Sequence, residues 1–347
     1  MSQPWPRATG DTVASGILKS APEDFRVAED LGFEPAGEGE HVFLHLEKRL
    51  LNTQDLAQRL SSLSGIHPRD ISFSGMKDRQ AITRQWFSVR MAGKAEPDWQ
   101  ALEVPGEVHV LAVARHQRKL KRGVHRGNRF SIVLRELQGE RGEIEARLEQ
   151  LREGGAPNYF GEQRFGRDGA TLQQARDWMA AGGRRISRNR RSLYLSALRS
   201  QLFNTVLADR VVRNTWNRIE PGDICMLHGS RSLFSEDEVS KDIQQRAVSG
   251  DLHPGLPLWG RGAPGDGPFA RVRQVLEPQA DICDFLENAG LELGWRPARL
   301  LPDDFCWQFC DDGSLQLDFR LSAGNYATAL LAECVQWTDP ATGKNKK

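Results

Sequence analysis

Cysteine, tyrosine and long apolar runs are all scarce in this sequence. Its 347 residues include five cysteines and three tyrosines. The cysteines lie in the second half of the chain without a Cys-x-x-Cys pair, so we expect reduced thiols rather than a disulfide framework. No apolar run approaches the roughly 20 residues of a membrane helix, and the first residues form no secretory signal. We therefore expect a soluble cytoplasmic protein that does not enter a membrane.

Patterns that bind metal are also scarce. Cys306 and Cys310 are the one cysteine pair close enough in sequence to suggest a metal site. No histidine or further cysteine follows at the spacing of a zinc finger, and this segment has the pattern of a strand. We therefore expect no metal. The hydrophobic content of 39% is enough for a large core, and the length favours two domains.

Charge is nearly balanced overall but unevenly distributed. A net charge of +1 would argue against a nucleic-acid partner. However, residues 115–129 hold seven Lys or Arg and no acid, and residues 184–191 add five arginines. Two solvated loops are the simple alternative, yet two acid-free runs favour a face that follows a phosphate backbone. The side chains predicted to contact RNA phosphates are Arg115, Arg118, Lys119, Lys121 and Arg122.

Hydrophobic periodicity predicts strands at both ends of the chain and helices in its centre. Alternation predicts strands over residues 41–49, 71–74, 85–90, 129–135, 305–309 and 315–321. Helical spacing predicts a helix beginning at residue 52 or 53 and others over residues 143–153, 171–179, 192–212 and 326–335. Residues 253–268 are rich in Gly and Pro, which predicts a long surface loop.

Asp78 is the most suggestive carboxylate in the chain. It stands between Lys77 and Arg79, in a loop that begins at Gly75 after a predicted strand. Loops at strand ends commonly hold active groups, and two flanking cations favour the ionised carboxylate. The alternative is a surface turn with a local ion pair. The loop alone does not decide between these two interpretations.

Six segments resemble, in order, the motifs of the TruD family of tRNA pseudouridine synthases. GMKDRQAITRQWFSV, which contains Asp78, resembles the family motif GxKDxxAxTxQ, in which the aspartate is catalytic. KSAPEDFRVAE, which begins at Lys19, resembles the N-terminal KxxPEDFxVxE segment. The other matches are GNRF at 127–130, APNYFGEQRFG at 156–166, RNRRSLYLSALRSQLFN at 188–204 and AGNYATALLAE at 323–333. So many ordered matches exclude a chance agreement.

The resemblance implies conversion of a tRNA uridine to pseudouridine, typically at position 13, without a metal or redox cofactor. The N1–C1′ bond breaks, the base turns, and C5 takes the place of N1. No obligatory protein partner is implied. Asp78 takes the catalytic position, Phe25, Asn128 and Tyr326 the substrate-contact positions, Lys19 and Lys77 the positively charged positions, and Phe130 the aromatic position. Either lysine would hold Asp78 ionised. Phe is more frequent than Tyr at the position of Tyr326, so the role of its hydroxyl is open.

The family's fold is α+β, with a central mixed or antiparallel sheet in the catalytic domain and a second, α/β domain inserted into it. By resemblance, residues 1–153 and 302–347 form the discontinuous catalytic domain, and residues 154–301 form the inserted domain. A cleft between the two would receive RNA, lined by the two basic runs. From the sequence alone, the boundaries rest on a Gly-Gly-Ala-Pro cluster beginning at Gly154 and on the segment near Pro297.

Simpler roles remain for each candidate residue. Phe25 and Phe130 have the pattern of core residues, Asn128 that of a turn residue, and Tyr326 that of a helix-packing aromatic. A non-catalytic binder of structured RNA would need the basic runs but not Asp78. A hydrolase acting on nucleosides would need a second acid near Asp78 to activate water, and none lies nearby in the sequence.

Overall fold

The structure, a computed structural model, describes residues 5–230, 232–235, 238–262 and 269–340. The strands in chain order are β1 Ala14–Leu18, β2 Phe25–Asp30, β3 His41–Arg49, β4 Ile71–Phe73, β5 Ile82–Arg90, β6 Val108–His116, β7 Gly127–Gln138, β8 Ala156–Pro157, β9 Ile224–Leu227, β10 Leu233–Ser235, β11 Leu252–Leu258, β12 Gly294–Pro297, β13 Arg299–Leu300, β14 Asp303–Phe309, β15 Leu315–Ser322 and β16 Val335–Thr338. The helices are α1 Thr53–Ser64, α2 Arg141–Gly154, α3 Ala170–Ala180, α4 Arg188–Val212, α5 Lys241–Val248, α6 Phe269–Leu276, α7 Ala280–Asn288 and α8 Ala327–Leu331.

The chain divides into two units, each built from separate stretches of sequence. Unit 1 contains the residues up to Val13, Arg141–Leu301 and Asn325–Cys334. Unit 2 contains Ala14–Glu140, Pro302–Gly324 and the residues from Val335 onward. These units differ from the domains predicted by resemblance. Helices α2 and α8 belong to unit 1, whereas the predicted catalytic domain contains both helices together with residues 14–140. Those domains come from the resemblance to the family, and their boundaries stay a prediction.

Unit 2 is organised around one mixed sheet. Among the described residues the sheet has 10 strands, seven of them in the order β14-β15-β7-β2-β5-β3-β6. Strand β1 pairs with β7 and β16, and β4 pairs with β5. The pairs β1–β16 and β2–β5 are parallel, and the other pairs are antiparallel. The predicted α+β class with a mixed sheet is confirmed.

Helix α1 covers one face of this sheet. Its apolar side chains recur at helical spacing, and Leu56 and Leu60 are fully buried against Leu44, Phe87 and Val89. Full burial of a leucine side chain stabilises a fold by about 2 kcal/mol. The helix ends at Ser64 and is followed by Gly65, whose φ of 64° is readily adopted by glycine. This packing buries the face of β3 and β5 that lies beneath the Asp78 loop.

The described part of unit 1 combines helices with a four-stranded antiparallel sheet. The sheet has the order β10-β9-β11-β12. Helix α4 supplies the predicted core stripe, since Leu195, Leu198, Leu202 and Val206 are all buried in one hydrophobic cluster. No helix of the described ranges combines the length and apolarity that crossing a bilayer requires.

The predicted loop over residues 253–268 is wrong in its first half. Strand β11 occupies Leu252–Leu258 and pairs on both sides, with β9 and β12. Proline lacks an N–H but keeps its carbonyl, and the oxygen of Pro254 accepts a hydrogen bond from Ala298 N at 2.7 Å. Two prolines therefore fit in this strand. Residues 263–268 lie outside the described part of the chain.

The helix predicted over residues 326–335 is wrong in its second half. Helix α8 ends at Leu331, and the chain then forms β16. Val335 pairs in parallel with Ala14 of β1, a partner more than 300 residues away in sequence. Backbone pairing over that separation competes successfully with the local helical pattern.

Candidate active site

Asp78 lies in the irregular segment between β4 and β5. These strands pair antiparallel, with Ile71 opposite Val89 and Phe73 opposite Phe87. Strand β4 pairs with the far half of β5, so the segment runs from this pairing to the start of β5 at Ile82, which pairs with Arg26 of β2. The Asp78 side chain is 20% exposed, so the carboxylate is sheltered but reachable. This is the strand-end loop that the sequence predicts.

Lys19 forms an ion pair with Asp78. Its Nζ lies 2.8 Å from Asp78 Oδ2, and its side chain is 9% exposed. The same Nζ lies 4.3 Å from the centroid of the Phe25 ring, within the range of a cation–π contact. Lys19 has a φ of 60°, a conformation that costs about 1 kcal/mol for a residue other than glycine. Strain of this kind concentrates at functional sites.

Lys77, the second candidate cation, pairs with a different carboxylate. Its Nζ lies 2.8 Å from Glu29 Oε2, and the two side chains are 6% and 0% exposed. Glu29 is on β2, next to the strand that follows the loop. Of the two lysines expected to hold Asp78, the structure thus pairs Lys19 with it and gives Lys77 a buried partner of its own.

The aromatic candidates form a buried row. The rings of Phe25 and Phe130 meet edge to face with centroids 6.3 Å apart, and Phe130 stacks on Phe319 at 5.3 Å. Phe25 is 3% and Phe130 is 7% exposed. Both therefore contribute to the core. The contact of Phe25 with Lys19 also places this end of the row beside the Asp78 ion pair. The predicted role of both rings toward a substrate stays a prediction.

Asn128 lies near the start of β7, opposite Glu29 of β2 and Leu321 of β15. Its Oδ1 is buried and makes no hydrogen bond to any residue that the structure describes. A buried amide oxygen without a partner is unusual, because desolvating it costs about 1–3 kcal/mol. The structure does not make Asn128 a turn residue, since it belongs to a strand paired on both sides.

Beneath the loop, three buried side chains bind its backbone. Gln85 Nε2 donates to the carbonyl oxygen of Gly75 at 3.2 Å. Lys77 N donates to Thr53 Oγ1 at 3.1 Å. Lys48 Nζ donates to the carbonyl oxygen of Asp78 at 2.8 Å.

We call Lys48, Thr53 and Gln85 the loop floor. All three residues are 0% exposed. Burial lowers the pKa of Lys48 to about 8, although attraction to the Asp78 carboxylate opposes this effect.

The loop floor was missed by reasoning from the sequence, although a signal for it exists. In β3, Val42, Leu44 and Leu46 face the core, and the period of two places Lys48 on the same side. In β5, the same period groups Gln85 with the buried Phe87 and Val89. A polar residue at a position where the alternation of a strand predicts burial needs a hydrogen-bond or ion-pair partner inside the fold. Glu29 was missed as well, and it follows the same rule in β2 after the buried Phe25 and Val27.

Tyr326 belongs to unit 1, where it precedes α8. Its hydroxyl accepts hydrogen bonds from Nε and Nη2 of Arg164, at 3.2 and 2.9 Å. Its ring meets Phe160 edge to face at 6.1 Å. Arg164 and Phe160 both belong to the NYFGEQRFG segment. The hydroxyl, which departs from the family's more frequent Phe, therefore binds the segment that most strongly resembles the family.

The two basic runs are largely exposed. Arg118, Lys119, Lys121 and Arg122 lie at the surface of unit 2, whereas Arg115 is half-buried and paired with Glu96. The five arginines of residues 184–191 are exposed in unit 1. Arg115 thus has a carboxylate partner already, which makes it the weakest of the predicted phosphate contacts.

Comparison with known proteins agrees with the resemblance over nearly the whole chain. The family model described as tRNA pseudouridine synthase D (TruD) matches residues 7–173 and 169–334. The protein named tRNA pseudouridine synthase D from Methylococcus capsulatus is 49% identical over 337 residues, covering 96% of this chain and 95% of that protein. The protein of the same name from Pseudomonas entomophila is 44% identical over 332 residues, covering 95% and 94%.

A solved structure shows the same fold. The crystal structure described as TruD from Methanosarcina mazei aligns with a TM-score of 0.68 and 21% identity, covering 97% of each chain. At that identity the likeness concerns the fold alone. The family model and the closely similar sequences carry the assignment: this chain belongs to the TruD family of tRNA pseudouridine synthases.

Proposed function

We propose that this protein isomerises one uridine of tRNA, at position 13, to pseudouridine, with Asp78 as the catalytic carboxylate. The observation that carries the proposal is the ion pair of Asp78 with Lys19, at 2.8 Å, within the segment that matches the family's catalytic motif. The pair lies in a chain that aligns almost end to end with proteins named tRNA pseudouridine synthase D.

The chemistry requires an ionised carboxylate beside the target nucleotide. The N1–C1′ bond breaks, the detached base turns, and a C5–C1′ bond forms; N1 gains a proton and C5 loses one. Atoms and electrons balance without an oxidant or reductant. Attack on C1′, addition to C6 and proton removal toward a glycal all begin from a carboxylate acting as nucleophile or base. The Lys19 ammonium, 2.8 Å from Asp78 Oδ2, is placed to orient this carboxylate.

The candidate substrate-contact residues suit a base that has left its stack. A flipped base needs aromatic surface and groups that read its Watson–Crick edge. Phe25 and Phe130 supply the aromatic edge on the Lys19 side of Asp78. The unpaired Oδ1 of Asn128 supplies a buried acceptor, which suits an N–H donor such as N3–H of uracil. Tyr326 is the fourth proposed substrate contact, through its ring.

The test compares wild type with Asp78→Asn. Unmodified tRNA transcripts are incubated with each protein, and pseudouridine is mapped by carbodiimide labelling and primer extension. We expect one new stop, at position 13, with wild type and none with Asp78→Asn, while tRNA affinity changes less than about threefold. Asp55→Asn, which alters an exposed carboxylate on α1, serves as the matched control and should behave as wild type.

Two other outcomes would replace the proposal. Tight tRNA binding by wild type with no stop in any transcript would indicate a non-catalytic RNA-binding protein. Release of free uracil from tRNA would indicate a nucleoside hydrolase instead. Either result would show that the Asp78 ion pair serves another purpose.

A further inference from the structure

The Asp78 loop has little regular hydrogen bonding of its own. Residues 76–78 belong to neither helix nor strand. Their polar backbone groups therefore need partners from elsewhere in the fold. The loop floor supplies them at three points along the loop, namely Gly75 O, Lys77 N and Asp78 O. The backbone of Asp78 is held as directly as its carboxylate is.

Two of the three loop-floor residues are neutral, and the third carries a charge. A hydroxyl or an amide satisfies a backbone group well, as Thr53 and Gln85 do here. Burying an ammonium is far more unfavourable than burying either of these. The full burial of Lys48 therefore calls for a reason beyond the satisfaction of one carbonyl oxygen. The Asp78 carboxylate supplies that reason, because it attracts the Lys48 ammonium and belongs to the residue whose carbonyl oxygen accepts the hydrogen bond from Lys48.

We infer that Lys48 is a positioning residue for the isomerisation, which fixes the backbone of Asp78 through its carbonyl oxygen. Lys19 then acts on the carboxylate directly, and Lys48 acts through the main chain. This inference rests on the proposed function. A displacement of about 1 Å of a reacting group lowers a rate by about 100-fold, which sets the scale of the expected effect.

The experiment uses two substitutions of Lys48 in the full-length protein. Lys48→Met keeps most of the volume and removes both the hydrogen bond and the charge. Lys48→Gln removes the charge and keeps an N–H donor. Thr83→Val is the matched control, because Thr83 is equally buried, lies opposite Lys48 on β5, and makes no hydrogen bond through Oγ1 to the described residues.

Single-turnover rates and tRNA affinity are measured separately for each variant. We expect Lys48→Met to lower the rate by about 100-fold and Lys48→Gln by about 10-fold, with affinity within about threefold of wild type. Thr83→Val should keep the wild-type rate. A residue that merely fills space would produce no such separation of rate from affinity.

The outcomes distinguish this inference from the proposed function. If wild type modifies tRNA and folded Lys48→Met does so at a rate within about threefold, the inference is overturned and the proposed function stands. If both variants fail to fold, Lys48 is a requirement of the fold and the inference is likewise overturned. An inactive wild type overturns the proposed function and this inference together.

Discussion

Lys19 lies 2.8 Å from Asp78 although 59 residues separate them in sequence. Lys19 follows the first strand of unit 2, and Asp78 lies between β4 and β5. Because β2 pairs in parallel with β5, the start of β2 and the start of β5 meet at the same edge of the sheet. The two residues precede those strands, so the sheet itself brings the cation to the carboxylate.

Replacement of this cation should slow the reaction without preventing tRNA binding. Lys19→Met keeps the length of the side chain and removes its charge. A hydrogen bond to a charged group contributes about 1.5–3 kcal/mol, which corresponds to about a 10- to 100-fold loss of rate. Single-turnover kinetics measure this loss of rate. The control is Lys94→Met, which changes an exposed lysine of the same unit. A rate equal to wild type would show that Asp78 does not depend on Lys19.

The buried pair of Lys77 and Glu29 should contribute mainly to stability. Glu29→Gln leaves the Lys77 ammonium buried without a counter-charge, which typically lowers the free energy of unfolding by about 3–5 kcal/mol. Scanning calorimetry should show a clearly lower melting temperature. The double variant Glu29→Gln/Lys77→Met removes the stranded charge and should recover part of the loss. No recovery would mean that Glu29 acts through another contact.

The ring of Tyr326, rather than its hydroxyl, should matter for the substrate. Stacking of a base on an aromatic ring contributes about 1–3 kcal/mol, so Tyr326→Ala should lower kcat/KM by about 5- to 100-fold. Tyr326→Phe keeps the ring and loses only the two hydrogen bonds from Arg164, so kcat/KM should stay within about threefold. Equal losses in the two variants would instead assign the role to the hydroxyl and Arg164.

Binding of tRNA should depend steeply on salt through the basic run of unit 2. Each phosphate contact contributes a slope of about 0.7–0.9 in a plot of log affinity against log salt. Replacing Arg118, Lys119 and Lys121 with Gln should therefore reduce the slope by about 2. A control variant in which Lys94, Arg141 and Lys241 are replaced with Gln should keep the wild-type slope, because these three residues are exposed elsewhere. If the first variant keeps the wild-type slope, the run does not contact RNA.

The amino-acid sequence by itself determined the local elements around the site. The alternation over Val42, Leu44 and Leu46 predicts β3, and the spacing of Leu56 and Leu60 predicts α1; both are present with those residues buried. The position of Asp78 in a loop between two strands was equally predictable. These features depend on periodicity within about ten residues, which is present in the sequence before any tertiary contact forms.

The tertiary structure alone decided which groups meet. The sequence offers Lys19 and Lys77 as equivalent cations for Asp78, and the fold assigns Lys77 to Glu29. It likewise forms β11 where a loop was expected, and it ends the predicted C-terminal helix early, before β16, because each strand pairs with segments distant in the chain. Periodicity reports which face of an element is buried, whereas the partner of a buried charge depends on how strands far apart in sequence are ordered in the sheet. The burial of Lys48 beneath Asp78 follows from the same ordering.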